Sequence, residues 1–328
     1  GQEVEKSAQL DKIFVMPDVR EEERRRGDRW LEAELLAEAT DSRQLALLQQ
    51  QRQLAQLDSY SGRTTLAKDL LSQSQSRKLV MLGAPGSGKT TLMSYFAVML
   101  ADKRPETLGL SPDTDWLPIL IRIRDLTRQT ELSVLEYARL FAEKTLAVKK
   151  LPEGFFEYWL EDGRTLILLD GLDEVAEEGK RQEVVKRIEN FLGQFQQNRA
   201  IITSRPAGYR RDFFHTEEFP HYWLQPFDNK KIEEFINRWY DSRVQDKEEA
   251  QRRKESLRKA LDENDRIKLL ARNPLLLTII ALIHRYQARL PKERYKLYDK
   301  AVETLLTSWD ANKELSNESV LQYLKLDD

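Results

Sequence analysis

The chain has 328 residues, 40% of them hydrophobic, which is enough apolar material to fill the cores of two or more globular units. Its 53 Lys and Arg nearly cancel its 55 Asp and Glu, so no global field draws in nucleic acid or an anionic membrane. The absence of cysteine excludes disulfides, thiol catalysis and thiolate metal sites, no apolar run approaches the roughly 18 residues of a bilayer span, and the N-terminus lacks a signal-peptide core, so we expect a cytoplasmic protein.

The chain opens on Gly1 in place of Met, from which we expect either a trimmed tag or a start inside a longer protein. Residues 12–16 (KIFVM) predict a short strand closed by Pro17. Residues 19–57 are charged and Gln-rich, with Leu31, Leu35, Leu47, Leu54 and Leu57 forming a partial apolar stripe. That pattern predicts an amphipathic helical arm, and its few heptads favour packing on the next domain over a coiled-coil partner. A turn at residues 59–62 and a helical run at 65–71 follow.

Next comes an apolar strand, residues 79–82, running into Gly83-Ala84-Pro85-Gly86-Ser87-Gly88-Lys89-Thr90-Thr91 and then into a helix ending near Ala101. This is a phosphate-binding loop in its expected context. Its glycines let backbone N–H groups turn inward around phosphates, Lys89 reaches the β and γ oxygens, and the Thr90 hydroxyl completes the shell of a Mg²⁺ ion. Further strands are predicted at 117–123, 165–169, 199–203 and 222–225, with helices between them. The alternation predicts an α/β domain with a parallel sheet and crossover helices.

The run LILLDGLDE places Asp170 at the end of a buried strand, where it can organise Mg²⁺ through its water shell. Many P-loop ATPases carry a Glu directly after this Asp to align the attacking water; here Gly171 stands in that place. The task passes to Asp173 or Glu174, the alternative for each being a solvated acid after a strand. Strand 199–203 ends in Ser204-Arg205-Pro206, and Arg205 is the candidate for a charge-assisted contact to the terminal phosphate, against the reading of a surface arginine at a strand end. Arg122 and Arg124, flanking Ile123, have weaker claims, since alternating Arg and Ile is also how an edge strand keeps charges outward.

From Asn229 the period becomes helical, with Ile232, Phe235, Ile236, Trp239 and Tyr240 on one face. Residues 245–268 are charged enough to be a solvated helix pair or a mobile excursion. Residues 273–283 are apolar nearly all round and are expected to be buried; a last amphipathic helix carries Tyr298, Val302, Leu305 and Trp309. His215, His221 and His284 are too scattered for a metal site.

Taken together, GAPGSGKTT, LILLDGLDE, ITSRP, LQPF, NPLLL and LPKERYKLY make residues 60–309 resemble the NACHT family of signal-transducing P-loop ATPases, a branch of the STAND class. The resemblance implies a P-loop nucleotide-binding domain at 59–228, a small helical domain at 229–310 and the start of a winged-helix domain at 311–328, preceded by an N-terminal strand and helical arm at 1–58. It implies a molecular switch, closed with ADP and oligomerising with ATP, that hydrolyses ATP slowly with Mg²⁺ and signals in settings such as bacterial antiviral defence. On this pattern Arg205 is the phosphate sensor and Pro274 packs against adenine, although Arg272 stands where the family writes Gly; Pro274 is equally a first-turn helix proline capped by Asn273. Arg63 resembles the segment that cradles the base. The winged-helix histidine of relatives has no counterpart among the three histidines, and no sensor repeat or effector fold is recognisable. A turnover ATPase or nucleotide kinase, and a nucleotide-stabilised scaffold assembling through the N-terminal helix, are the competing functions.

Overall fold

The computed structural model describes residues 10–22, 64–74, 76–144 and 151–287. Of the arm predicted at 19–57, residues 19–21 belong to a strand and not a helix, and residues 23–57 lie outside the described residues, as do the turn at 59–62, the helix at 298–309 and the segment 311–328. The chain divides into two compact units, Gly1–Pro226 and Phe227–Asp328.

Among the described residues the first unit is built on a seven-stranded sheet in the order β2-β1-β7-β3-β6-β5-β4. Strands β3 (Lys78–Leu82), β4 (Leu117–Arg122), β5 (Thr165–Asp170), β6 (Arg199–Ser204) and β7 (His221–Leu224) run parallel. Each lies within a residue or two of its expected position. Strand β4 is an edge of the sheet, as the alternating Arg and Ile suggested, but Ile123 begins a short helix instead of ending the strand.

Two expectations near the N-terminus are corrected. Residues 10–13 are helical and 14–17 irregular, and the strand β1 (Asp18–Glu21) starts only after Pro17. Pro17 has no N–H for a ladder, while Phe14 stacks on Tyr95 at 4.0 Å, which gives its ring a use outside any sheet. The run from Thr65 is not simply helical either: Thr64–Leu66 forms β2, a 3₁₀ turn covers Ala67–Asp69 and a short helix α1 covers Leu70–Gln73. Strand β1 pairs antiparallel with both β2 and β7, so partner availability overrides local helical preference at the β-branched pair Thr64-Thr65.

Alternation along the strands sends side chains to two cores. Leu79, Met81, Leu166, Leu168 and Ile201 face helix α2 (Lys89–Ala101), which contributes Leu92, Met93, Phe96 and Met99. Val80, Leu82, Ile167, Leu169 and Ile202 face the opposite layer, including Val184, Ile188 and Leu192 of helix α6 (Glu178–Gln194). Between α2 and α6 the chain forms α3 (Ile123–Thr127), α4 (Val134–Lys144) and α5 (Phe155–Glu161). A strand buried on both faces reads as a continuous apolar run, which is why β5 was so easily seen.

The second unit contains α7 (Asn229–Asp241), α8 (Lys247–Asp262), α9 (Asp265–Ala271) and α10 (Pro274–Gln287). Side chains of Asp228, Asp246, Asn264 and Asn273 accept backbone N–H groups at the four helix starts. The α7 face is buried as its period predicted, and the charged stretch resolves into the helix pair α8 and α9. Helix α10 departs from burial all round: Leu277, Ile280, Ala281 and Ile283 are buried, whereas Leu275 is 53% exposed. No helix among the described residues is long and apolar enough to cross a membrane.

Candidate functional site

Strand β6 lies between β3 and β5, and this order assembles the site. The loop Gly83–Gly88 leaves β3 and enters α2 through left-handed backbone at Gly86 (φ 73°) and Gly88 (φ 93°), which only glycine adopts without strain. Its base is tied to the neighbouring strand, the Gly83 N–H donating to the Ser204 carbonyl at 3.2 Å. A Cβ on Gly83 would come within 2.6 Å of Ser87 Oγ and 3.3 Å of Leu224 Cβ, so a side chain has no room there.

Inside the loop, the Lys89 ammonium donates to the carbonyls of Gly83 (2.6 Å) and Ala84 (3.2 Å). Burial lowers its pKa to about 8; the carboxylate of Asp173 opposes that shift, Arg205 adds to it, and Asp170 and Glu174 oppose it. Ser87 Oγ is buried and has no hydrogen-bond partner among the described residues. A hydroxyl donor orphaned inside a loop of inward-facing amides suits an oxyanion, so the loop fits a phosphate chain. Pro85, Thr90 and Thr91 are exposed.

Asp170 is 5% exposed, at the end of β5. The Thr90 hydroxyl donates to its Oδ2 at 2.7 Å and the Thr203 hydroxyl to its Oδ1 at 2.5 Å. A hydroxyl and a carboxylate oxygen side by side are hard donors of the kind Mg²⁺ takes together with water and phosphate, so Thr90 and Asp170 fit the ion. Among the described residues no group of three or more His, Cys, Asp or Glu could hold a metal ion.

After Asp170 the chain turns through Gly171 (φ 80°) into a 3₁₀ turn carrying both remaining acids. Asp173 is turned onto Arg205: its Oδ1 accepts the Arg205 backbone N–H at 2.8 Å and its Oδ2 forms an ion pair with Arg205 Nε at 3.1 Å. Glu174 faces Arg124 instead, at 3.3 Å. The four expected residues Lys89, Asp173, Glu174 and Arg205 thus stand around one sheet edge, with Thr90 and Asp170. Arg63 lies outside the described residues. Pro274 belongs to the second unit, where it occupies the first position of α10 behind the Asn273 cap.

Two participants escaped the sequence reading. Thr203 looked like the end of an apolar strand, although a polar residue closing such a run was a signal; Arg124 had only a weaker claim to the site, set against the reading of an edge-strand charge.

A family model described as "NACHT domain" matches residues 77–243, half of the chain. The chain belongs to the NACHT family. It therefore carries the P-loop NTPase fold of that family. Among curated proteins none matches. Solved structures similar to this NACHT chain include a point variant of Thermotoga maritima RuvB (14% identity, TM-score 0.32, covering 70% of this chain and 61% of that one). Others are the Aeropyrum pernix ORC1 protein in complex with DNA (14%, 0.41, 77% and 64%) and Caenorhabditis elegans PCH-2 (11%, 0.38, 74% and 64%). The chain spans less than two thirds of the length of each.

Proposed function

We propose that this NACHT chain is a nucleotide-operated switch that binds ATP and ADP with Mg²⁺ and hydrolyses ATP slowly. The observation that carries the reading is the double contact between Asp173 and Arg205. A γ-phosphate offers the Arg205 guanidinium a stronger anionic partner than Asp173, and its loss on hydrolysis returns the arginine to the carboxylate. Bound nucleotide thereby selects between two arrangements of the β6 end, which is what a switch requires.

The same geometry divides the two acids. Asp173 serves as the anchor of Arg205, and Glu174 as the residue that aligns the attacking water. Bound Mg²⁺ would neutralise charge on the β and γ oxygens. Lys89 exchanges its two loop carbonyls for phosphate oxygens, and Ser87 and the loop amides hold the chain of phosphates in place. Slow turnover follows from Gly171, which has no side chain beside Asp170, and from the ion pair that holds Glu174 on Arg124. ATP-dependent self-association, Pro274 against the adenine, Arg63 beside it, domains at 59–228 and 229–310, and sensor and effector partners in signalling all belong to this proposal.

Mass spectrometry of ligand released from freshly purified protein is expected to find an adenine nucleotide, and Lys89→Ala to abolish its retention. Solution mass is expected to rise when ATP replaces ADP. Absence of bound nucleotide together with an unaffected Lys89→Ala variant would overturn the switch; rapid steady-state hydrolysis would favour a turnover enzyme.

A further inference from the structure

Thr203 does more than close a strand. Its side chain is fully buried between β5 and β3, and it has one proton and lone pairs to place. The proton goes to Asp170 Oδ1 at 2.5 Å, and the oxygen accepts the Gly171 N–H at 2.9 Å. Asp170 Oδ2 is left to the Thr90 hydroxyl at 2.7 Å. The hydroxyl orientation is therefore determined from both sides: donating to a carboxylate, accepting from the first amide of the turn that bears Asp173 and Glu174.

We propose that Thr203 is a positioning residue for the Mg²⁺ site, its hydroxyl holding the Asp170 carboxylate so that Oδ2 and the Thr90 oxygen face the ion together. The inference rests on the nucleotide and Mg²⁺ reading above. A carboxylate on a strand end can rotate about its terminal torsion, and a donor on one oxygen alone leaves that rotation open; donors on both oxygens close it. Thr203 also stands two residues before Arg205 on the same strand end, so the group that orients Asp170 moves with the segment that carries Arg205.

The test compares wild type, Thr203→Val and Thr203→Ser by titration with ADP in Mg²⁺ and in EDTA, with thermal unfolding as the check on folding. Thr203→Val keeps the shape and removes the hydroxyl. Its Mg²⁺-dependent gain in ADP affinity is expected to fall about 10- to 100-fold, the usual effect of losing an outer contact to a metal ligand, while affinity in EDTA stays within about twofold. Thr203→Ser is expected to restore the Mg²⁺ dependence. Retention of the full Mg²⁺ dependence by Thr203→Val overturns the proposal, as does an equal loss of ADP affinity with and without Mg²⁺, which marks a structural role alone. If Thr203→Val does not fold, Thr203→Ala against Thr203→Ser decides on the same criteria. A wild type whose ADP affinity ignores Mg²⁺ overturns the metal-site reading and this inference with it, whereas a wild type that depends on Mg²⁺ beside an unaffected Thr203→Val overturns this inference only.

Discussion

Asp173 and Glu174 are neighbours in sequence with identical charge, yet one is bonded to Arg205 and the other to Arg124. Their roles should separate on mutation. Asp173→Asn keeps an acceptor for the Arg205 amide but discards the charge that holds the guanidinium; the difference in affinity between ATP and ADP is expected to change severalfold, measured by competition titration. Gly171 carries a second expectation. At φ 80° it occupies left-handed backbone, and an added Cβ would meet the Glu174 side chain at 3.1 Å. Gly171→Ala is expected to cost about 1–2 kcal/mol in urea unfolding, because an L side chain there clashes with its own carbonyl. The loop residues Gly83 to Thr91 and Asp170 were legible in the sequence because their chemistry lies in consecutive residues. Which arginine each of Asp173 and Glu174 pairs with was not, because those arginines lie 32 and 50 positions away, a separation that no local pattern encodes.

Strand β5 and helix α10 are both rich in leucine, but only one is buried throughout. Leu168 lies at 0% exposure in the face that packs on α2, whereas Leu275 is 53% exposed. Leu168→Ala is expected to lower unfolding free energy by about 2–5 kcal/mol, and Leu275→Ala to leave it within about 0.5 kcal/mol, both read from denaturant midpoints. Composition saw the five parallel strands correctly since each is a short continuous apolar run with a turn at its end. It erred at β1 and β2, which are three or four residues long and exist because β7 offers an open edge. It overstated the burial of α10 for a related reason: an apolar run states what a helix can bury, not what its neighbours cover.

For the first unit as a folded body, His221 predicts how stability responds to acid. The ring is 2% exposed, and burial lowers its pKa to about 4, partly opposed by the bond of Nδ1 to the Phe219 carbonyl at 2.8 Å. With Nδ1 donating, Nε2 accepts from the Tyr209 hydroxyl at 2.6 Å, so the neutral ring is the form that fits. The unfolded ring titrates near 6.5. Between 6.5 and about 4 the unfolded chain binds a proton that the folded one refuses, so this contribution is complete above 6.5 and is lost as pH falls toward 4. Urea unfolding should weaken by roughly up to 3 kcal/mol across that window, and His221→Asn should flatten that part of the profile.

The order of residues along the chain already dictated a phosphate-binding loop, a buried strand ending in Asp170 and the period of α7. Each is a property of neighbours a few residues apart, where backbone geometry and apolar spacing act directly. Which distant groups meet was decided by the order of strands in the sheet. With β6 between β3 and β5, Ser204 accepts from the loop, Thr203 reaches Asp170, and Arg205 reaches Asp173. That order follows from burying two apolar faces at once, a free energy of the assembled layers that no single segment contains.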